Sequence, residues 1–152
     1  MKHSNGQAQQ FTRLKSLLVF TVIFMSLGTL IELFLLSHYE DEWQLLPIIL
    51  ISAALLIFIF LLINPKAWLI IGLKILLWGC ALSGALGAYF HIRANLEFEA
   101  ELHPTQSFTQ HLIDSLSGAL PALAPGSMLV FALIGYIHLY IQHKTIIYEK
   151  PN

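Results

Sequence analysis

Apolar residues gather into four long, almost uncharged windows, and the polar residues are concentrated between them. The windows cover residues 14–37, 45–63, 68–92 and 127–143. A hydrocarbon core of about 30 Å needs roughly 20 apolar residues per spanning helix, whereas a spanning strand is about half as long and alternates in polarity. The pattern therefore predicts an all-α membrane protein in which four transmembrane helices form a bundle.

Two short connections between the windows carry capping signals. Asp41 with Gln44 is typical of a cap for the second helix, and Pro47 either kinks that helix or begins it. Asn64-Pro65 predicts an N-cap followed by proline at the first position of the third helix. These signals favour helices joined by tight turns.

The outer connection, residues 93–126, is the only one long enough to fold outside the membrane. Good helix formers open it, so the third helix is predicted to leave the bilayer and to stop before Pro104. A capping box of Ser107 and Gln110 begins a short amphipathic helix that Gly118 closes. We expect this helix to lie on the outer bilayer surface or over the bundle. Its apolar side is expected to hold Phe108, Leu112, Ile113 and Leu116.

The composition agrees with a membrane protein and excludes several other classes. Hydrophobic residues make up 57% of the 152 residues and charged residues only 11%, whereas a soluble domain carries about 25% charged residues. A net charge of −1 without a basic stripe excludes nucleic-acid binding. Since Cys80 is the single cysteine, an internal disulfide is excluded as well.

The N-terminal region resembles a signal peptide, because basic residues precede an apolar stretch. That stretch is longer than a signal peptide requires and no small-x-small cleavage site follows it, so we expect an uncleaved anchor. We divide the chain into a mobile cytoplasmic tail at 1–13, a single transmembrane domain at 14–147 and a C-terminal tail at 148–152.

Basic and acidic residues are concentrated on opposite sides of the predicted membrane domain. Six basic residues lie before or at the very start of the first window, in the second turn or after the fourth window: Lys2, Arg13, Lys15, Lys66, Lys144 and Lys150. Because basic loops stay in the cytoplasm, both termini are predicted to be cytoplasmic. The opposite side holds Arg93 and seven acids: Glu40, Asp41, Glu42, Glu97, Glu99, Glu101 and Asp114. The outer face is therefore strongly acidic.

Small residues recur every four positions along the third window, in two sets. The sets are Gly79, Ser83 and Gly87, and Cys80, Gly84 and Ala88. Small side chains at this spacing let a second helix approach closely. We therefore predict a helix-packing face, used within the monomer or in a homo-oligomer or larger membrane complex.

Glu32 is the one acid inside a window. An ionised carboxylate facing lipid costs several kcal/mol, so Glu32 should face protein, pair with Arg93 or be protonated. We expect it on an interior stripe of the first helix together with Thr21, Met25 and Gly28.

Further metal-ligand donors share the outer third of the molecule with Glu32. They are His38, His91, Glu99 and His103, with His111 in the loop above. Because bundles form transition-metal sites from carboxylates and imidazoles on facing helices, this set predicts a metal site. It matches neither the Glu-x-x-His nor the His-Glu-x-x-His motif, and a solvated acidic helix end is the alternative. Haem is disfavoured because no two histidines share a mid-membrane depth.

Three polar residues lie toward the predicted cytoplasmic ends of the third and fourth windows: Lys74, His138 and Gln142. The long side chain of Lys74 is expected to reach the membrane interface. His138 and Gln142 are one helical turn apart, and we expect them to form a hydrogen-bonded contact between helices, with a binding site as the alternative.

Three segments, residues 31–44, 95–101 and 121–128, resemble those of small bacterial inner-membrane proteins, a family without an assigned activity. The resemblance covers most of the chain from Leu30 onward. It implies a bacterial inner-membrane protein with four helices, and it implies no activity, ligand or catalytic residue.

Three functions follow as hypotheses. A non-enzymatic accessory, scaffold or assembly subunit is favoured, because small-residue packing faces and an acidic outer face accompany the absence of a catalytic motif. The alternative is a protein that binds or transports a proton or a metal ion (Zn, Cu, Fe or Mn), with Glu32, His91 and Glu99 at its core. A membrane enzyme or redox protein is the third hypothesis, which no motif supports.

Overall fold

The fold is entirely α-helical over the part of the chain that the computed structural model describes, residues 2–148, with side chains described for 9–142. It comprises α1 (Lys2–Leu35), α2 (Glu42–Ile63), α3 (Ala67–Leu102), α4 (Phe108–Ser115) and α5 (Gly126–Tyr148). Three helices contain stretches long and apolar enough to cross a bilayer: Gln9–Leu35 of α1, α2 and α3. These indicate a membrane protein and confirm the all-helical fold class.

The fourth predicted span corresponds to α5. Its apolar stretch within the described side chains, Gly126–Gln142, is shorter than the other three. The count of four crossings and the cytoplasmic position of the termini therefore stay predictions.

The N-terminal tail predicted from the sequence is helical in the structure. α1 already begins at Lys2, so the segment expected as a tail, 1–13, is helical backbone from its second residue onward. Of the predicted C-terminal tail, 148–152, the structure describes the backbone of Tyr148. The other four residues, which include Glu149 and Lys150, lie outside the described residues. The side chains of Lys2 and Lys144 are also outside them.

The start of α2 follows the capping prediction. The Asp41 carboxylate accepts a hydrogen bond of 2.9 Å from the Gln44 N–H. The Gln44 side-chain oxygen accepts in turn from the Glu40 N–H, at 3.0 Å. Because α2 begins at Glu42, Pro47 lies inside the helix rather than at its first position.

The predicted N-cap at Asn64 is wrong. Asn64 ends α2 instead, and its N–H donates to the Phe60 carbonyl oxygen at 2.8 Å. The ring of Pro65 disfavours helical geometry in the residue before it, and Asn64 is accordingly extended. α3 therefore starts only at Ala67, after Lys66, whose side chain makes no capping hydrogen bond.

α3 is the central helix of the molecule, packed antiparallel against α2 on one side and α5 on the other, while α1 contacts α2 and α5. Fully buried apolar side chains fill the space between them: Val22, Ile51, Phe58, Leu61, Leu73, Leu77 and Phe131. Large apolar side chains also cover the outside of every long helix. An apolar exterior of this extent suits lipid rather than water.

The small residues of α3 form the predicted packing face, and the face is used inside the molecule. A Cβ atom on Gly84 would lie 2.7 Å from the Pro125 carbonyl oxygen and 3.0 Å from the Met128 Cβ, so only glycine permits this approach of α5. Gly87 faces Pro125, and Gly79 faces Leu50 of α2. Within one chain, α2 and the segment leading into α5 therefore pack against this face.

The predicted interior stripe of α1 is displaced by about one residue. The buried positions are Val22, Ser26 and Thr29. Gly28 has no atom within 4 Å of an added Cβ, and Glu32 is exposed. The periodicity of the sequence shows that the buried side of a helix covers about one third of its circumference, but it does not show which third. In α1 the contacts with α2 and α5 determine which residues are buried.

α4 begins as predicted, with the Ser107 hydroxyl accepting from the Gln110 N–H at 3.3 Å. The helix ends at Ser115 without help from Gly118, which has no left-handed conformation. Gly118 is needed for a different reason: an added Cβ would lie 2.5 Å from the Asn95 side chain. The closing role expected of Gly118 is therefore wrong.

The amphipathic character of α4 is present, but its apolar side points away from the protein. Phe108, Leu112, Ile113 and Leu116 are exposed, whereas His111 and Ser115 are buried against the end of α3. An outward apolar side suits a helix that lies at the membrane interface.

Candidate functional site

Asn95 organises the outer end of the molecule from within α3. Its side-chain amide donates to the carbonyl oxygens of Ser115 and Leu120, at 2.9 and 2.7 Å, and accepts from the Leu120 N–H at 3.0 Å. Only 2% of Asn95 is exposed. One side chain thereby fixes the outer cap, by which we mean α4 and the segment that returns to α5, residues 107–125.

A cavity of about 710 Å³ lies beneath the outer cap. The last turns of α1, the first turn of α2, the outer half of α3 and the segment 119–128 form its walls. Most lining side chains are apolar, among them Leu33, Leu36, Leu46, Phe90 and Met128. Its ionisable side chains are Glu32, His38, Asp41 and His91. The cavity is therefore an apolar chamber with a few polar groups, the usual character of a small-molecule site.

His38 and His91 approach each other at the cavity, with ring centroids 6.4 Å apart and ring planes inclined by 72°. The His91 Nδ1 atom lies 3.1 Å from the Pro121 carbonyl oxygen. Because a carbonyl only accepts, we assign the proton to Nδ1, which leaves Nε2 as the acceptor of the neutral ring. His91 thus faces the protein.

The environment of His38 favours its neutral form. Burial lowers the pKa of His38 below its ordinary value, and repulsion from a protonated His91 lowers it further, while the nearby Asp41 raises it by less. At a given pH the His38 ring is therefore protonated to a smaller extent than a histidine in water.

Glu32 lines the same cavity from the end of α1. Neither Arg93 nor any other described side chain pairs with it: Arg93 instead donates to the Glu97 carboxylate at 2.8 Å. The expected Glu32–Arg93 pair is therefore absent, and no cation among the described side chains pairs with the Glu32 carboxylate.

The predicted metal-ligand set is divided between two places. Glu32, His38 and His91 line the cavity, while Glu99 and His103 lie farther out along α3, with the Glu99 Oε2 and His103 Nε2 atoms 4.0 Å apart. His111 belongs to α4 itself, and its Nε2 atom lies 3.2 Å from the Gln106 carbonyl oxygen. Over the described part of the chain, no three His, Cys, Asp or Glu side chains come close enough to hold a metal ion together.

His138 and Gln142 do not form the hydrogen-bonded contact expected of them. His138 is fully buried on α5, and neither of its ring nitrogens has a partner among the described residues. The Oε1 atom of the buried Gln142 lacks one too. The His138 ring instead packs edge-on against Phe58, with centroids 4.9 Å apart. The predicted hydrogen-bonded contact is therefore wrong for this histidine.

The sequence did not predict that Asn95 holds the outer cap, nor that two aromatic residues meet at the cavity. Trp43 and Phe90 lie edge to face at the cavity, with ring centroids 5.8 Å apart. The available signal for Asn95 was its position one turn from both His91 and Glu99. No comparable signal pairs Trp43 with Phe90, because their contact depends on how α2 packs against α3.

Comparisons of the chain with protein-family models, with curated protein sequences and with solved structures found no match.

Proposed function

We propose that the protein is a small, non-enzymatic bacterial inner-membrane protein that serves as an accessory or assembly subunit through its acidic outer face. In this proposal α1, α2, α3 and α5 all cross the membrane, and both termini are cytoplasmic. The distribution of basic residues supports this orientation.

The observation that carries the proposal is the outer cap held by Asn95. Three hydrogen bonds from one buried side chain hold α4 and the return segment to α3. The neighbouring carboxylates Glu97 and Glu101 are exposed. A folded acidic surface on an otherwise lipid-facing molecule is suited to a basic region of a partner protein, because complementary charge steers and orients association.

Site-specific photo-cross-linking in intact cells tests this function. A photoreactive amino acid replaces the exposed Thr105, and a matched control places it at Ile75 on the lipid-facing side of α3. We expect a discrete protein adduct, identified by mass spectrometry, from Thr105 alone. Glu97→Lys with Glu101→Lys should abolish it. If the adduct survives both charge reversals, the acidic face is not the docking surface.

A second candidate is proton or metal binding at the outer end of the bundle. The supporting observation is that the rings of His38 and His91 meet in the cavity that Glu32 also lines. Elemental analysis of untagged protein should then find about one equivalent of Zn, Cu, Fe or Mn. Glu32→Gln and His91→Ala should each lose it, while His103→Ala outside the cavity should keep it. Protein that stays metal-free after incubation with these ions would exclude the metal form of this candidate.

A further inference from the structure

We propose that the outer cavity binds an amphiphilic organic cation, with the Glu32 carboxylate as its counter-charge and the Trp43–Phe90 pair beside its ammonium group. This goes beyond the accessory function and does not depend on it. The inference rests on the size of the cavity, its balance of charges and its aromatic lining.

The size and lining of the cavity indicate a largely apolar ligand. Small-molecule sites occupy about 300–1,000 Å³ and combine apolar walls with a few polar groups, and this cavity of about 710 Å³ has that composition. If the cavity held only an inorganic ion, apolar side chains such as Leu33, Leu46 and Met128 would remain in contact with water. A ligand with an apolar part would displace that water, which is favourable.

The charges of the cavity indicate that this ligand is a cation. No lysine or arginine whose side chain the structure describes lines it. Asp41 is engaged as the cap of α2 through the Gln44 N–H, and His91 is held by the Pro121 carbonyl oxygen. Glu32 remains as the carboxylate without a partner among the described side chains, at the negative end of the α1 dipole, where an anion is least favourable without a cation nearby.

The aromatic side chains favour an organic ammonium over other cations. Trp43 and Phe90 meet edge to face at 5.8 Å in the cavity wall. Ammonium groups, quaternary ones above all, are attracted to aromatic faces. A bare transition metal would need at least three protein donors in most sites, and the described residues bring no such group together.

Equilibrium dialysis with radiolabelled tetraphenylphosphonium tests the proposal on the full chain in dodecyl maltoside, a detergent without charge. We expect saturable binding of about one equivalent, weakened about tenfold or more by Glu32→Gln, because removing one member of a charge pair has a large effect on affinity. The matched control is Glu97→Gln, since Glu97 lies outside the cavity and pairs with Arg93.

Two additional measurements separate charge recognition from a folding defect. Circular dichroism should give the same helix content for Glu32→Gln and wild type. The neutral analogue triphenylphosphine oxide should bind both forms equally, because it keeps three of the four phenyl rings and lacks the charge. Absence of saturable tetraphenylphosphonium binding by folded wild type, or equal binding by Glu32→Gln, overturns the proposal. Neither result would alter cross-linking at Thr105, so failure here is distinct from failure of the accessory function.

Competition identifies the source of the ammonium group. Displacement by phosphatidylethanolamine, but not by phosphatidylglycerol, assigns the ligand to a membrane lipid with an amine headgroup. Displacement by benzyltrimethylammonium alone assigns it to a water-soluble amine. If neither ammonium compound displaces the probe, the site does not recognise this chemistry and the proposal is wrong.

Discussion

Buried polar side chains in this protein differ in whether they find hydrogen-bond partners, and the difference follows from where they lie. Asn95 sits at the end of α3, opposite a non-helical segment whose carbonyl oxygens are free to accept. His138 sits within α5, among helices whose own ladders already use the backbone groups, and its ring nitrogens have no described partner. A polar side chain inside a bundle therefore depends on another polar side chain, whereas one at its end can use the backbone.

Replacement of Asn95 by Ala should loosen the outer cap. Loss of three hydrogen bonds leaves the Ser115 and Leu120 backbone groups without partners, at about 2–3 kcal/mol. Hydrogen–deuterium exchange over residues 115–121 should become markedly faster. Gln110→Ala is the control, because it removes only a surface hydrogen bond to Asp114. Unchanged exchange in Asn95→Ala would show that the Asn95 side chain does not hold the outer cap in place.

His138→Leu should stabilise the protein. A buried polar group without a partner is unfavourable by about 1–3 kcal/mol, and leucine removes that penalty at the loss of one ring contact with Phe58. We expect the free energy of unfolding, measured by titration with dodecyl sulfate in mixed micelles, to rise by about 1 kcal/mol. The exposed His103→Leu should leave it unchanged. A clear loss of stability in His138→Leu would mean that the ring has a partner that the leucine cannot replace.

His38 should titrate below its ordinary pKa of 6.5, because burial and His91 both disfavour the protonated ring. The unfolded chain then binds a proton more readily than the folded chain, so the stability that His38 contributes is present above pH 6.5 and declines as the pH falls below it. NMR titration should show the pKa of His38 rising in His91→Gln and falling in Asp41→Asn. Asparagine retains the capping function, so the second variant isolates the charge.

Among the helices, α3 determines the arrangement of the others. Its glycines Gly84 and Gly87 allow the start of α5 to pack closely against it. On α5, the absence of a side chain at Gly135 leaves space for the Leu77 side chain of α3. Because the closest contacts lie at glycines on both helices, the two backbones approach tightly along the outer half of the molecule. The return segment leads directly into this contact, so the packing of α5 and the shape of the cavity are coupled.

Gly84→Ala should destabilise the molecule by about 1–3 kcal/mol, and Gly84→Leu by more, because the added atoms meet the Pro125 carbonyl oxygen and the Met128 Cβ. Gly28→Ala is the matched control on α1. Nothing lies within 4 Å of its added Cβ, so the better helix propensity of alanine should leave stability equal or about 1 kcal/mol higher. Equal effects of the two substitutions on dodecyl sulfate unfolding would rule out close packing at Gly84.

The whole molecule is electrically polarised although its net charge is only −1. The carboxylates at the outer end are mostly exposed, and the short turn at the other end carries the exposed Lys66. Exposed apolar side chains cover the helices between these ends. Such a distribution favours one orientation in the membrane and gives the two surfaces opposite electrostatic character.

Cysteine labelling tests the orientation and the number of crossings together. An impermeant maleimide should label Glu101→Cys in intact cells, and label Lys66→Cys and Asn152→Cys only after permeabilisation. Wild type should stay unlabelled in both cases, since Cys80 is fully buried. Labelling of Asn152→Cys in intact cells would show that α5 does not cross the membrane.

From the sequence alone, the membrane class, the extension of α3 to Leu102 and the caps at Asp41 and Ser107 were predictable. These features depend on residues near one another in the chain: apolar run length, helix propensity and local hydrogen bonds to the backbone. Asn64 and Gly118 were misassigned for a related reason. Each matches a local capping pattern, but the first is extended by the proline after it and the second is required by a contact with Asn95.

Only the tertiary structure decided which groups meet. It brought Glu32, His38 and His91 to one cavity, separated them from Glu99 and His103, and placed Trp43 against Phe90. Helical spacing specifies which residues share a side of one helix, but not the rotation and axial offset of that helix against its neighbours. Those are set by close packing at positions such as Gly84, and so the cavity and its unpaired carboxylate exist only in the folded molecule.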